Sequence, residues 1–178
     1  MKKTVKLSAL LLCIAGMFSS SAMAVDGYKD LKFGTPKQQV LKTKLCNLME
    51  APNKQPGVES YICLDFKFGG KKTVAMFFFL DNKFSRLGVV QPFDSVTSLA
   101  SQLVKKYGDP IESPDEQRLK DLYEKEDISA DIVFDNRTVI LRLMSDNNMK
   151  KQAVLMYSAA DYESKLSEKQ ESSVKDDL

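Results

Sequence analysis

Two pairs of turn residues constrain this chain more than anything else in it. Gly69-Gly70 and Asp81-Asn82 lie ten or eleven residues apart, and the stretch between them, Lys72 to Leu80, is almost wholly apolar. Gly-Gly and Asp-Asn tolerate the left-handed backbone that a two-residue hairpin demands. The stretch around them therefore reads as three antiparallel strands: about Tyr61 to Phe68, Lys72 to Leu80, and Phe84 to Val90, the last ended before Pro92. Ahead of them Thr35, Pro36 and Gln38 have the order of a helix cap, and Val40, Leu41, Leu45, Leu48 and Met49 recur on one helical face. The Pro- and Gly-bearing segment 51–59 is a loop by content.

The second half repeats this order. A helix beginning at Asp94 carries Val96, Leu99, Ala100, Leu103, Val104 and Tyr107 on one face and stops at Gly108. Ser113, Pro114 and Glu116 cap a short helix with the stripe Leu119, Leu122 and Tyr123, read in preference to an irregular edge strand. Strands are expected at about Ala130 to Phe134, Thr138 to Met144 and Gln152 to Tyr157, with turns at Asp135-Asn136 and Asp146-Asn147-Asn148. Phe68-Gly69-Gly70-Lys71 can be laid over Phe134-Asp135-Asn136-Arg137. The expected class is α+β: two α-β-β-β units, about 35–91 and 94–158, forming one antiparallel sheet with helices packed on one face. A single domain with coincidental turn spacing is the alternative. Either way 25–162 is one compact domain, and the charged, Ser-rich 163–178 is a polar frayed tail.

Helix followed by meander, used twice, resembles small exported bacterial proteins of the β-lactamase-inhibitor-protein-like fold group. The lead-in from Gly27-Tyr28 to Phe33-Gly34-Thr35 also looks like the opening of such domains. Their single-unit relatives resemble the small lipoprotein of the outer-membrane β-barrel assembly machine. The resemblance implies a protein that binds other proteins, and it carries no site residue across.

The N-terminus reads as an export signal. Lys2, Lys3 and Lys6 precede an apolar run from Leu7 to Phe18, and Ala22-Met23-Ala24 supplies small residues for cleavage after Ala24. The run falls short of the about 20 apolar residues that span a bilayer. Cys13 lies inside the run behind Leu12, which is not the small residue a lipoprotein signal needs, so no lipid anchor and no stable membrane insertion are expected. Removing residues 1–24 leaves 154 of 178 residues and takes three lysines and no acid from 26 basic and 24 acidic groups, so +2 becomes −1. Such a balance gives no support to nucleic-acid binding. In an oxidising compartment, periplasmic or extracellular, the remaining Cys46 and Cys63 most simply form a disulfide, with a pair of free thiols as the alternative.

Sequence chemistry is sparse. The chain has no histidine, which removes His triads and most zinc sites. No phosphate-loop motif occurs, and Gly69-Gly70-Lys71-Lys72 is a hairpin turn between strands. The acids Asp115, Glu116, Asp121, Glu124, Glu126 and Asp127 read as a solvated face, and Asp146-Asn147-Asn148 lacks EF-hand spacing. No catalytic residue, metal or cofactor is expected. The feature most able to report function is apolar. Along the second strand Val74, Met76, Phe78 and Leu80 point one way and Ala75, Phe77 and Phe79 the other. A sheet with helices on one side leaves its other face partly wet, so Phe77 and Phe79, with Phe66 and Phe68 of the first strand, are the candidate binding surface. The occupant would be a protein partner or a second copy, and an apolar small ligand or lipid is the rival. On the first strand, Ile62, Leu64, Phe66 and Phe68 alternate against Cys63. Either Cys63 lies on the helix side and the apolar row faces away, or a bulge shifts the register.

Overall fold

The computed structural model describes residues 24–52 and 56–176. The expected export signal up to residue 23, Cys13 within it, and the last two residues of the tail lie outside the described residues. The centre is a seven-stranded antiparallel sheet built from β3 (Leu48–Glu50), β4 (Glu59–Phe68), β5 (Lys71–Leu80), β6 (Lys83–Gln91), β7 (Ser129–Phe134), β8 (Val139–Ser145) and β9 (Lys151–Ser158), in the order β3-β4-β5-β6-β9-β8-β7. A two-stranded ribbon, β1 (Gly27–Tyr28) and β2 (Leu31–Lys32), precedes it. Two meanders, β4-β5-β6 and β7-β8-β9, thus meet through their third strands, with Val89 opposite Leu155 at the seam.

The turn chemistry accounts for this order. Gly69 and Gly70 take φ of 54° and 78°, and Asp81 and Asn82 take 50° and 58°, the left-handed pair of a type I′ hairpin. The β7–β8 connection is longer. Asp135, Asn136 and Arg137 are all left-handed, and the buried Thr138 hydroxyl tethers the turn through Asp135.

Helices α1 (Lys37–Leu41), α2 (Val96–Tyr107) and α3 (Glu116–Glu124) contribute Val40, Leu103 and Leu122 to one core cluster against the sheet. The α+β class with a large antiparallel sheet is therefore present. α2 ends at Gly108 (φ 81°), as its sequence implies. α3 starts two residues beyond the expected cap serine, Ser113: Asp115 is the cap, and its carboxylate accepts the Arg118 N–H at 2.7 Å.

Two elements differ from expectation. The first helix is five residues long and does not run to Met49. Thr35 does not cap it, because its hydroxyl donates back to the Lys32 carbonyl at 2.7 Å. Beyond Leu41 the chain turns so that Leu48 pairs with Cys63 as β3, which brings Cys46 within 6.1 Å (Cα to Cα) of Cys63 for their disulfide. Leu45 and Met49, apolar at helical spacing, are left exposed. The second difference is the tail, which forms α4 (Tyr162–Asp176) on the opposite face of the sheet from the other helices. Its anchors are Tyr162 and Leu166, packed with Val58, Leu80 and Phe78, and the Arg86 guanidinium, 3.6 Å above the Tyr162 ring centroid and paired with Glu163. Two apolar residues four apart were too thin a stripe to stand out against nine polar neighbours up to Ser172. Among the described residues no helix is long and apolar enough to cross a membrane.

Candidate binding face

The two faces of the sheet are fixed by cross-strand register. The row Ala75–Val89–Leu155–Leu141 runs through the four central strands, and every member is fully buried under α1 to α3. Phe77 and Phe79 share that face. They are 0% and 1% exposed and pack around Phe84 at ring-centroid distances of 5.8 and 6.1 Å. Phe66, 2% exposed, meets Phe77 edge-on at 6.0 Å, and Phe68 is half-buried against the same cluster. The four phenylalanines expected to form an open surface are therefore the core side of the sheet. Phe66, Phe77 and Phe79 are not available to a partner, and Phe68 is only partly exposed at the edge of the same side.

Two bulges produce this arrangement. In β4 the register shifts between Cys63 and Phe66, so both point into the core and Leu64 is expelled to 58% exposure. Of the two explanations left open for Cys63, it lies on the helix side and a bulge accompanies it. A second shift lies between the Phe78–Arg86 and Phe79–Phe84 pairs. The extra residue, Ser85, sends Phe84 inward and leaves Arg86 on the opposite face.

That opposite face carries a continuous apolar row. Met49, Ile62, Met76, Gly88, Met156, Ile140 and Val133 are successive cross-strand partners from β3 to β7. Six strand spacings make it about 29 Å long. Towards β7 it is closed over, with Met156, Ile140 and Val133 each below one-tenth exposed, whereas Met76 and Ile62 are half-buried and Met49 is 47% exposed. Gly88 lies at its centre. A Cβ there would stand 3.3 Å from Val154 Cγ1 and 3.8 Å from both Met76 Cε and Phe78 Cε2, so the neighbours lean over the missing side chain. The result is an open groove of about 390 Å³ on Met76, Phe78, Gly88, Val154 and Met156, ended by Tyr162 and Leu166 of α4.

The charges beside this groove are tied. Arg142 donates to both carboxylate oxygens of Asp131 at 2.8 and 2.7 Å, and that hydrogen bonding holds the guanidinium more firmly protonated against the cost of its burial. Arg86 donates to Ser158 Oγ at 2.7 Å and to Glu163. Both arginines thus brace the walls. Methionines on the floor and rim provide a deformable lining suited to apolar side chains of varied shape. Gly88 and the two arginines have sequence signals that point here: a glycine inside a strand pattern, and charges at alternate positions of otherwise apolar strands.

Elsewhere the structure offers little chemistry among the described residues. Cys46 and Cys63, beside Asp65, consume each other's sulfurs, and Asp65 accepts the Asn47 N–H at 3.0 Å. Glu116, Glu124, Glu126 and Asp127 are solvated, and Asp121 is half-buried. Asp121 is held below the usual carboxyl range by its hydrogen bonds from Lys125 and Gln117. Asp146 folds its own turn by accepting the N–H groups of Asn148 and Lys150, both at 2.9 Å.

Fold and face together define an α+β protein with an open groove, apolar on its floor and flanked by Arg86, Arg142 and Glu163, on the sheet side away from the helical core. The chain belongs to a family described as uncharacterised proteins, whose model matches residues 28–177. It is similar to an uncharacterised protein of Haemophilus influenzae, at 31% identity over 97% of this chain and 98% of that one. An uncharacterised protein of Pasteurella multocida is 29% identical over 86% of this chain and 88% of the relative. No solved structure matches it.

Proposed function

We propose that this is a non-enzymatic bacterial protein, exported with loss of a signal peptide after Ala24, that binds a protein partner through the open face at Met76, Phe78 and Gly88. The observation that carries the reading is the apolar row across all seven strands, open at its β3–β5 end. An open groove suits protruding apolar side chains of a partner, whereas a small apolar ligand or lipid, the rival reading, favours an enclosed cavity. The Cys46–Cys63 disulfide supports an oxidising location, periplasmic or extracellular, and the two bacterial relatives support the source. The two meanders meeting through their third strands support reading the chain as a repeated unit, and with it the resemblance to the β-lactamase-inhibitor-protein-like group. An inhibitor, immunity or envelope-assembly role is the form such binding takes.

The test is recovery of the tagged mature protein from its native envelope, with mass spectrometry of proteins and small molecules together. A protein held in fixed ratio by the wild type and released by Met76→Lys, with the melting temperature little changed, is the expected result. An acyl-chain compound recovered in its place, or a partner indifferent to Met76→Lys, sinks the reading.

A further inference from the structure

Val25 is the residue that follows the expected export cleavage. It packs against the main core cluster, and its backbone N–H donates to Asp135 Oδ2 at 2.7 Å, across 110 residues of chain. From there the chain is held without a gap. The Phe33 N–H donates to the Asp26 carbonyl at 2.8 Å, and Tyr28 packs on Tyr157 with ring centroids 5.3 Å apart. Asp135 is itself a fixed acceptor. It stands in the left-handed β7–β8 turn with φ 49°, and the fully buried Thr138 has its hydroxyl 2.6 Å from the same Oδ2. Among the described residues no lysine or arginine pairs with this half-buried carboxylate. The neighbouring Arg137 is directed to Glu112.

We propose that Asp135 is the receiving site for the α-ammonium that export processing creates at Val25. The inference rests on the export reading, and its co-reactants are water and an export signal peptidase. In the hydrolysis a water oxygen bonds to the Ala24 carbonyl carbon as the Ala24–Val25 C–N bond breaks. The Ala24 carboxylate departs with the leader. The Val25 nitrogen takes up protons to become an ammonium, since a free α-amine titrates near about 8 and a carboxylate neighbour favours its charged form. The heavy atoms need not move. A neutral N–H···carboxylate hydrogen bond becomes a charged one, a class roughly twice as strong. Cleavage thereby turns a contact the precursor already makes into a charged one, and it tightens the hold of the β7–β8 turn on the N-terminal ribbon.

The experiment compares the mature chain beginning at Val25 with the same chain extended by Gly-Ser-Ala, which keeps the amide but moves the ammonium away. Both are melted at low salt, with and without Asp135→Asn, a replacement that still tolerates the left-handed turn. The Val25 terminus is expected to melt about 2–6 °C higher, the scale of one partly buried charge pair in a domain of this size. The gap should narrow in high salt and vanish in the Asp135→Asn pair. Equal melting of the two termini, or a gap that survives Asp135→Asn, overturns the proposal while leaving export untouched. Intact mass of the exported protein separates the two ideas: a first residue other than Val25 overturns the processing step, whatever the melts show.

Discussion

Phe77 and Phe78 are adjacent in β5, chemically identical, and placed by the structure on opposite faces. Truncating each to alanine should therefore give unequal costs. Phe77 is 0% exposed, and its ring is surrounded by Phe66 and Phe84 at centroid distances of 6.0 and 5.8 Å. Removing it leaves a closed cavity, which costs about 3–5 kcal/mol. A domain of this length shifts by about 2–4 °C per kcal/mol, so the melting temperature should fall by about 6–20 °C. Phe78 is half-buried on the groove wall beside the Gly88 gap, with Leu166 of α4 packed near it. Its truncation gives up about half the transfer free energy and leaves an open notch, about 1–2 kcal/mol or 2–8 °C. Thermal unfolding of the oxidised mature variants, followed by far-ultraviolet circular dichroism, measures both. A Phe78→Ala loss equal to or larger than that of Phe77→Ala refutes the assignment of faces. Partner capture should run the other way, with the Phe78 variant impaired and the surviving folded Phe77 variant competent.

Two further outcomes test the fold. Replacing Cys46 and Cys63 together by alanine releases a loop with a sequence separation of 17, which should cost about 3 kcal/mol and lower the melting temperature by about 6–12 °C without abolishing the sheet. Burial raises the phenol pKa of Tyr28, Tyr157 and Tyr162 above the ordinary 10.0. The folded state thus holds these protons more tightly than the unfolded state does. The contribution of these phenols to stability is constant below pH 10 and declines as pH rises beyond it, so part of the tyrosinate absorbance at 295 nm should appear only as circular dichroism reports unfolding.

The six strands of the two meanders were legible because left-handed turn residues and apolar runs are local signals, whereas β1 to β3 and the β6–β9 seam were not. Gly69-Gly70, Asp81-Asn82 and Gly108 act through the backbone of their own residues, and all three ended elements where expected. The first helix was illegible past Leu41 because tertiary pairing overrode the period. Leu45, Leu48 and Met49 fit a helical face, yet strand pairing of Leu48 with Cys63 and the disulfide at Cys46 claim that segment. The tail was illegible for a different reason. α4 is anchored by Arg86 and the Leu80 end of β5, some eighty residues earlier in the chain, and nothing within 163–178 advertises those partners.

The open side of β5 was misassigned at a point where better evidence stood in the other meander. β5 has no charged residue from Thr73 to Leu80, so alternation alone cannot say which parity meets the helices. β8 does have one. Arg142 sits at a period-2 position with Ile140 and Met144, and a charge marks the side that reaches solvent, leaving Val139, Leu141 and Leu143 for the core, where they are 0%, 0% and 4% exposed. Laying Phe134 over Phe68 places Leu141 on Ala75 and Leu143 on Phe77, and the same shift takes Val89 to Leu155, its own partner across the seam. Carried through that superposition, the single arginine assigns Ala75, Phe77 and Phe79 to the core and Met76 and Phe78 to the open side. The bulges in β4 and β6 do not disturb it, because β5 runs without an inserted residue between them. What β5 does with two apolar parities also becomes intelligible. One face fills the core, and the other would be polar in an ordinary half-exposed sheet. Here Met76, Phe78 and Met156 keep its floor apolar around Gly88, while Arg86 and Arg142 carry the charge at the walls, and it is this floor that the proposed partner would cover.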